Sequence, residues 1–494
     1  MRARVFQLSQ LPHTLLCLLH VSFAFAQIQQ ALSLNSVASF SSSTIPSSAL
    51  FGLPSSPQLT VSVAICSSQA SSARFFLTNT TSGVIPGPGG GTDVFEIPIN
   101  HGYGQWFGSA SGGGLLSVQD LQQGSFQVTV SDTGTTYDIL DRLPVFGDAT
   151  ANQAIIFSPA FYPASTEQPT YPNYTLPPAN LSISDNPPAI PTFNLVIGPT
   201  SSQLSSFPQT ACALLNTSST GSIISNGLWL RDIDGWRSQW LVDGFSPSTN
   251  YTAYVIQDQV KVSGPIYFAT KSGVASSIPL TFLPINTPLA GFPCPLVHSL
   301  PYCPSTAYAV PLPPPQAPAL SYDASSLPST ISTPLFQYMT NFTTMLLTFA
   351  CGRDLYSPLQ TCADCQREYR SWLCAVSFPR CSEPAGTSTP PPPGSKPQAP
   401  FSALRPQPSG SNPRNQFFPN VSYTYTSLLP CLETCNAVDR ACPYFLGIKC
   451  PVPQFNADAS YGVGLVDSGE AGVTGQGITG VAQDRWGNVW CNAG

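Results

Sequence analysis

The chain has 494 residues, enough for two or three domains, and carries a formal net charge of −6. Only 9% of its residues are charged, against 52 prolines and 37 glycines. That balance suits an extracellular strand-and-loop architecture and argues against a cytosolic helical enzyme. It also argues against nucleic acid as a partner, which would need clustered Lys and Arg.

In chain order, residues 1–26 read as a secretory leader, or if uncleaved as a signal anchor. Arg2 and Arg4 form its basic end, Leu11 to Phe25 its apolar core, and Ala24-Phe25-Ala26 the cleavage site. Cutting after Ala26 removes Cys17 and leaves 14 of the 15 cysteines, an even number. No second apolar run reaches the roughly 18–20 residues that span a bilayer. The closing WCNAG lacks a lipid-anchor tail. Seven N-x-S/T sequons, at Asn79, Asn173, Asn180, Asn216, Asn250, Asn341 and Asn420, fit passage through the secretory pathway, each on a surface loop or helix face.

Residues 27–57 form a Ser-rich segment with room for a short helix. From 58 to 163 the texture is strands and turns: LTVSVAIC, ARFFLTNT, DVFEIPI and SFQVTVSD alternate apolar and polar residues. This predicts one antiparallel β-sandwich. A Pro-rich linker is expected over 164–191, then a second sandwich over 192–272. There Leu241, Pro247 and Tyr251 resemble the corner of a fibronectin type III domain, which a tyrosine hydroxyl ties down. Cys66 and Cys212 precede Cys294 and are expected to pair, clamping the two sandwiches together. Residues 273–334 read as an extended, partly polyproline II strap pinned by Cys294 and Cys303.

The remainder, 335–494, reads as a mainly helical, disulfide-rich module. Its pieces CGRDLYSPLQTCADCQREYRSWLCAVSFPRC and PCLETCNAVDRACPYFLGIKCP hold Cys351, Cys362, Cys365, Cys374, Cys381, Cys431, Cys435, Cys442 and Cys450, with Cys491 as a coda. Cys431, Cys435 and Cys442 would share one helical face. Between the pieces, residues 383–419 form a Pro/Ser/Gly-rich insert expected to be disordered. Spacing leaves the connectivity of these cysteines open.

Several motifs invite a chemistry that their context does not support. The C-x2-C of Cys362 and Cys365 resembles a zinc or redox pair, but an oxidising compartment and the absent βαβ context favour disulfides. No metal or other cofactor is expected. The G-x-G-x-x-G at Gly475 to Gly480 lacks a following helix and reads as a loop. Asp132-Thr133-Gly134 and Asp467-Ser468-Gly469 mimic an aspartic-protease pair, but the second has no lobe around it. Only His101 and His298 follow the leader, neither near a nucleophile elbow. Trp229, Trp236 and Trp240 would be sandwich core or a sugar-binding face.

The order of the cysteine-rich pieces, ending in GQGITGVAQDRWGNVWCN, resembles the fungal stretch-activated calcium-channel component family over about Phe336 to Asn492. The resemblance implies a non-catalytic auxiliary subunit that supports stretch- or stress-activated calcium influx. Its partner would be the pore-forming subunit of a voltage-gated-like calcium channel. It would lie at the extracellular face of the plasma membrane or in the endoplasmic reticulum lumen. The cysteine-rich region is similar to frizzled-type domains and to the auxiliary factor of the animal sodium-leak channel. Within it Arg367, Tyr369, Arg370, Trp372, Tyr444 and Phe445 are the candidate docking residues, since aromatics and arginine dominate interface energies. Trp372 and Phe445 would alternatively be core; Arg367 and Arg370, three apart on a helix, read as exposed. A secreted cell-wall glycan- or lipid-binding module is the alternative reading, and an aspartic-type hydrolase the remote one.

Overall fold

A computed structural model describes residues 30–45, 49–70, 72–80, 85–121, 123–164, 174–179, 187, 189–273, 292–349, 351–384, 403–452, 455–463 and 489–494. The leader, Asn173, Asn180, Asp467 and the 475–480 glycine motif lie outside these. The chain divides into two compact units, Met1–Asp138 with Pro208–Ala213, and Ile139–Phe207 with Leu214–Gly494.

The first unit is a β-sandwich. Its strands are β1 (Gln30–Ala31), β2 (Ser36–Ser41), β3 (Leu50–Leu53), β4 (Ser56–Ile65), β5 (Arg74–Thr78), β6 (Val94–Ile97), β7 (Tyr103–Ala110), β8 (Gly114–Gln119) and β9 (Ser125–Ser131). They form sheets ordered β1-β3-β8-β5-β6 and β2-β9-β4-β7. The period-2 pattern places Leu59, Val61, Val63 and Ile65 of β4 in the core with Phe75, Leu77, Val128 and Val130. The Ser-rich segment differs from expectation: its described residues supply β1 to β3 and no helix. Its sparse apolar residues suffice, since Phe40 and Phe51 enter this core and Phe40 packs 5.3 Å from Phe126. Cys66 bonds Cys212. The bridge is internal to this unit, because Pro208–Ala213 belongs to it. There, just before the short helix α1 (Ala211–Leu215), Thr210 Oγ1 donates to Ile65 O (2.6 Å) and Gln209 N to His101 O (3.0 Å).

The second unit begins earlier than expected. Its strands β10 (Asp138–Ile139), β11 (Val145–Ala149), β12 (Gln153–Phe157), β13 (Phe193–Pro199), β14 (Ser222–Asp232), β15 (Gly235–Asp243), β16 (Asn250–Gln257) and β17 (Lys261–Ala269) form sheets β10-β17-β16-β13 and β11-β12-β15-β14. β12 is central, paired on both sides, and buried on both faces. Ile156 faces the inter-sheet core; Ile155 and Phe157 join Leu296, Ala307 and Ala309 on the other side. The segment 164–191 therefore connects two strands of one sandwich, β12 and β13, and does not link two sandwiches. At the β15–β16 corner Tyr251 is buried, and its hydroxyl accepts from Ser246 N (2.9 Å).

The described part of the proline-rich stretch after this sandwich is interior from Cys294 to Leu312, while residues 313–320 are largely exposed. β18 (Leu296–Val297) and β19 (Tyr308–Ala309) pair briefly, and Leu300, Tyr302, Val310 and Leu312 are buried. They pack against α2 (Ser329–Leu347) and α3 (Cys362–Ser377). α2 starts before residue 335 and carries Pro334 inside it.

The expectation of a mainly helical cysteine-rich module is overturned. Of the described residues, 35% are strand and 16% helix. Residues 335–494 combine α2, α3 and α4 (Leu432–Ala441) with loops and a sheet of β20 (Arg380–Ser382), β21 (Leu404–Gln407) and β22 (Tyr425–Leu428). Part of the supposed insert is ordered too: Ala403 and Phe418 are buried. β21 tolerates Pro406 because it is an edge strand, paired only to β22. Cysteine spacing suggested helical faces, but Cys431 and Cys442 are the caps of α4.

Two buried polar clusters brace this unit. Asp148 of β11 accepts from Lys271 Nζ (2.9 Å), Arg380 Nε (3.2 Å) and Ala309 N (3.2 Å). Burial alone would raise its carboxyl, but Arg380 and Lys271 outweigh this and hold it below the ordinary value. His298 lies buried between the hydroxyls of Ser299 (2.8 Å) and Ser321 (2.9 Å), beside Gln239. Burial lowers its pKa below 6.5. The neutral ring's contribution is therefore present above pH 6.5 and is lost as pH falls through the folded value. Thermal unfolding followed from pH 7.5 to 5 is expected to show this loss, and His298→Gln to flatten it.

Candidate functional site

The feature at this unit's surface that most needs a partner is an apolar end of the cysteine-rich region. Three bridges build it: Cys351–Cys362, Cys365–Cys442 and Cys435–Cys450. They fix the loop 352–361, the start of α3 and both ends of α4 around a core of Phe342, Leu346 and Val438. The Tyr356 hydroxyl lies 2.5 Å from Thr361 O and 2.6 Å from Ala441 O, joining that loop to the end of α4. Burial pushes its phenol up to about 12. Thr361 caps α3 in a capping box with Asp364.

Four large side chains project from this stapled frame. Leu355 is 80% exposed, Leu359 84%, Tyr444 88% and Phe445 51%. Phe445 meets Phe349 edge-on at 4.7 Å, which brings its turn against the end of α2, where Met345 and Leu347 are also exposed. Exposed apolar residues scattered singly are ordinary, but several on one disulfide-stapled frame make a candidate interaction surface. Tyr444 and Phe445 were legible as candidates. Leu355 and Leu359 were missed, although their signal was present: the short loop 352–361, closed by Cys351 and Cys362, has no core of its own in which to bury two leucines.

The other candidates are structural. Arg370 is only 5% exposed. Its guanidinium donates to Ala179 O (2.6 Å), Pro178 O (2.9 Å) and Tyr302 O (3.1 Å), and burial lowers its pKa to about 10. Expecting it at the surface was wrong, because its partners lie far off in sequence. Trp372 is half-buried between the helices, with Nε1 donating to Tyr461 (2.9 Å); Tyr369 stacks on Phe342 at 3.6 Å. Arg367 is half-exposed, but pairs locally with Asp364 (2.8 Å) and Glu368 (3.1 Å).

The 14 cysteines form seven bridges; the remaining four are Cys66–Cys212, Cys294–Cys381, Cys303–Cys374 and Cys431–Cys491. Cys362 and Cys365 thus have different partners and share no metal. Cys431, Glu433 and Cys491 cluster, but both sulfurs are consumed in their disulfide. Asp132 sits exposed after β9, accepting from the Asn35 amide (2.9 Å). Trp236 and Trp240 are core, and Trp229 donates to Pro304 O (2.7 Å), so they offer no sugar-binding face. Of the described sequons, Asn216, Asn341 and Asn420 are exposed, while Asn79 and Asn250 are part-buried. Among the described residues no helix is long and apolar enough to cross a membrane.

Residues 55–476 match the family described as "Stretch-activated Ca2+-permeable channel component". The chain is 33% identical over 428 residues to the stretch-activated cation channel MID1 of Cryptococcus neoformans, covering 78% of this chain and 65% of that protein. It is 26% identical over 306 residues to yam8 of Schizosaccharomyces pombe, covering 58% and 55% respectively. To MID1 of Saccharomyces cerevisiae it is 27% identical over 228 residues, covering 44% and 36%. The chain thus spans about two thirds or less of the length of these relatives. With a match over most of its length, the chain belongs to the Mid1 family of stretch-activated Ca2+-permeable channel components.

Proposed function

We propose that this chain is a non-catalytic auxiliary subunit of a Ca2+-permeable channel. It docks the apolar end of its cysteine-rich region on extracytoplasmic loops of a pore-forming, voltage-gated-like subunit, and supports stretch- or stress-activated calcium influx. The observation that carries this reading is the rigid exposed set Leu355, Leu359, Tyr444 and Phe445. Disulfide stapling removes the entropy that mobile loops would lose on binding, the usual advantage of a preorganised docking surface. The relatives are named stretch-activated cation channels, which supports a channel as the assembly this chain joins. Seven disulfides fit an oxidising compartment, and hence the secretory pathway and the outer face of the plasma membrane or the reticulum lumen. Glycans at Asn216, Asn341 and Asn420 belong to this reading.

The test is affinity purification of the full chain from native membranes, comparing wild type with Tyr444→Asp combined with Phe445→Asp. Loss of a hot-spot pair costs about 2–4 kcal/mol, so association is expected to weaken roughly 30-fold or more. Calcium uptake should fall with it, while secretion and the disulfides are retained. Arg367→Glu should leave association unchanged. A correctly secreted double variant that still co-purifies with the pore subunit at wild-type yield would refute this docking face.

A further inference from the structure

A short piece of the chain is held on the helical region in the manner of a bound peptide. Residues 174–179, Tyr-Thr-Leu-Pro-Pro-Ala, belong to the long loop between β12 and β13 and run without helix or strand pairing. Gln366 Nε2 donates to Pro177 O (2.7 Å), Arg370 Nη2 to Pro178 O (2.9 Å) and Arg370 Nη1 to Ala179 O (2.6 Å). Three consecutive carbonyls are thus read by two neighbouring turns of α3. Leu176 is buried among Phe342 and Leu346 of α2 and Cys362 and Cys365 of α3. Tyr174 lies over Gly352, where φ is +83° and a Cβ would meet its ring at 2.4 Å.

We propose that this α2–α3 face is a recognition site for extended, proline-containing peptide segments, and that Tyr174–Ala179 is its resident ligand in cis. Three features support a site rather than ordinary packing. The receptor face is preorganised independently of the strap, because α3 is stapled by Cys351–Cys362, Cys365–Cys442 and Cys303–Cys374. The strap itself carries no cysteine, and its described hydrogen bonds to α3 come from the Gln366 and Arg370 side chains. The chemistry is also one-sided. The face presents donors, and prolines at 177 and 178 offer carbonyls without the N–H groups that would be stranded against a guanidinium. Arg370 has no carboxylate partner there; its described partners are the carbonyls of Pro178, Ala179 and Tyr302. Thr343 Oγ1 accepts the second Gln366 N–H (2.7 Å), which orients the amide toward the strap. Any ligand of this face must therefore be extended, with an aliphatic side chain just before a proline pair.

The experiment uses the full chain and a fluorescent peptide of residues 174–179 with blocked ends. A tethered strap has an effective concentration on the order of mM, so wild type should bind the peptide at least tenfold more weakly than a chain whose strap is weakened. Two such variants are compared: Leu176→Gly with Pro177→Gly and Pro178→Gly, and the milder Leu176→Ser, which carries the test if the triple variant misfolds. Saturable binding is expected in either, reduced at least tenfold by adding Gln366→Ala or Arg370→Gln. A control peptide with both prolines replaced by alanine should bind at least tenfold more weakly. The proposal is overturned if neither variant binds the peptide although its disulfides are intact. It is also overturned if binding occurs but does not depend on Gln366, Arg370 or the prolines.

Discussion

Asp148→Asn lowers the stability of the full chain by about 3–5 kcal/mol, read from denaturant or thermal unfolding at neutral pH. The carboxylate is the anion for two buried cations, Lys271 at 2.9 Å and Arg380 at 3.2 Å. It also accepts from the backbone N–H groups of Ala149 and Ala309. An amide of the same size keeps part of the hydrogen bonding but leaves both cations without their principal countercharge. Glu383 offsets only some of this, acting favourably on Lys271 from further away. The loss should exceed that from removing any exposed pair, such as Arg74–Glu96. Replacing all three groups together, Asp148→Leu with Lys271→Met and Arg380→Met, should recover most of the stability, because a dry apolar cluster has no desolvation cost to meet. If Asp148→Asn unfolds within about 1 kcal/mol of wild type, the cluster is not the brace described. Acid acts on the same group. Its carboxyl is held below the ordinary value of 3.8, so its contribution is complete above that pH and disappears as pH falls through the folded value.

Charge reversal at the two arginines of α3 separates in the opposite way from their sequence spacing. Arg370→Glu places a carboxylate against the carbonyl oxygens of Pro178, Ala179 and Tyr302. All three lose their donor and face a buried negative charge, a change that typically costs about 3–5 kcal/mol. Retention in the cell, or a large drop in melting temperature of whatever is secreted, is the expected result. Arg367→Glu touches only a half-exposed side chain paired within its own helix, and should change stability by less than about 1 kcal/mol. Equal tolerance of both reversals would contradict the buried position of Arg370.

Strand texture was legible because alternation is local. LTVSVAIC, ARFFLTNT, DVFEIPI and SFQVTVSD fall on β4, β5, β6 and β9. The tyrosine at the β15–β16 corner was legible for the same reason, being only five residues from its donor, Ser246. The Ser-rich start was misread because its strands rest on a few apolar residues, Leu32, Phe40, Phe51 and Leu53, whose worth depends on partners from β8 and β9. The cysteine-rich region was read as mainly helical because helices carry a dense periodic signal. Its three-stranded sheet joins segments as far apart as Arg380 and Leu428, each too short to show a period. Of the candidate docking set, Tyr444 and Phe445 stand at the surface, while Trp372 and Arg370 turned inward.

The sequence by itself determined the number of cysteines available and the strand periodicity, because these are properties of composition and near neighbours. Cys66–Cys212 apart, only the tertiary structure decided which cysteine meets which, where one sandwich ends and the next begins, and which arginines are buried. The reason is distance along the chain. Arg370 finds its carbonyl at Ala179 across 191 residues, and Arg380 its carboxylate at Asp148 across 232. No local pattern encodes such a partner, and a cation stays buried only where the folded chain delivers one.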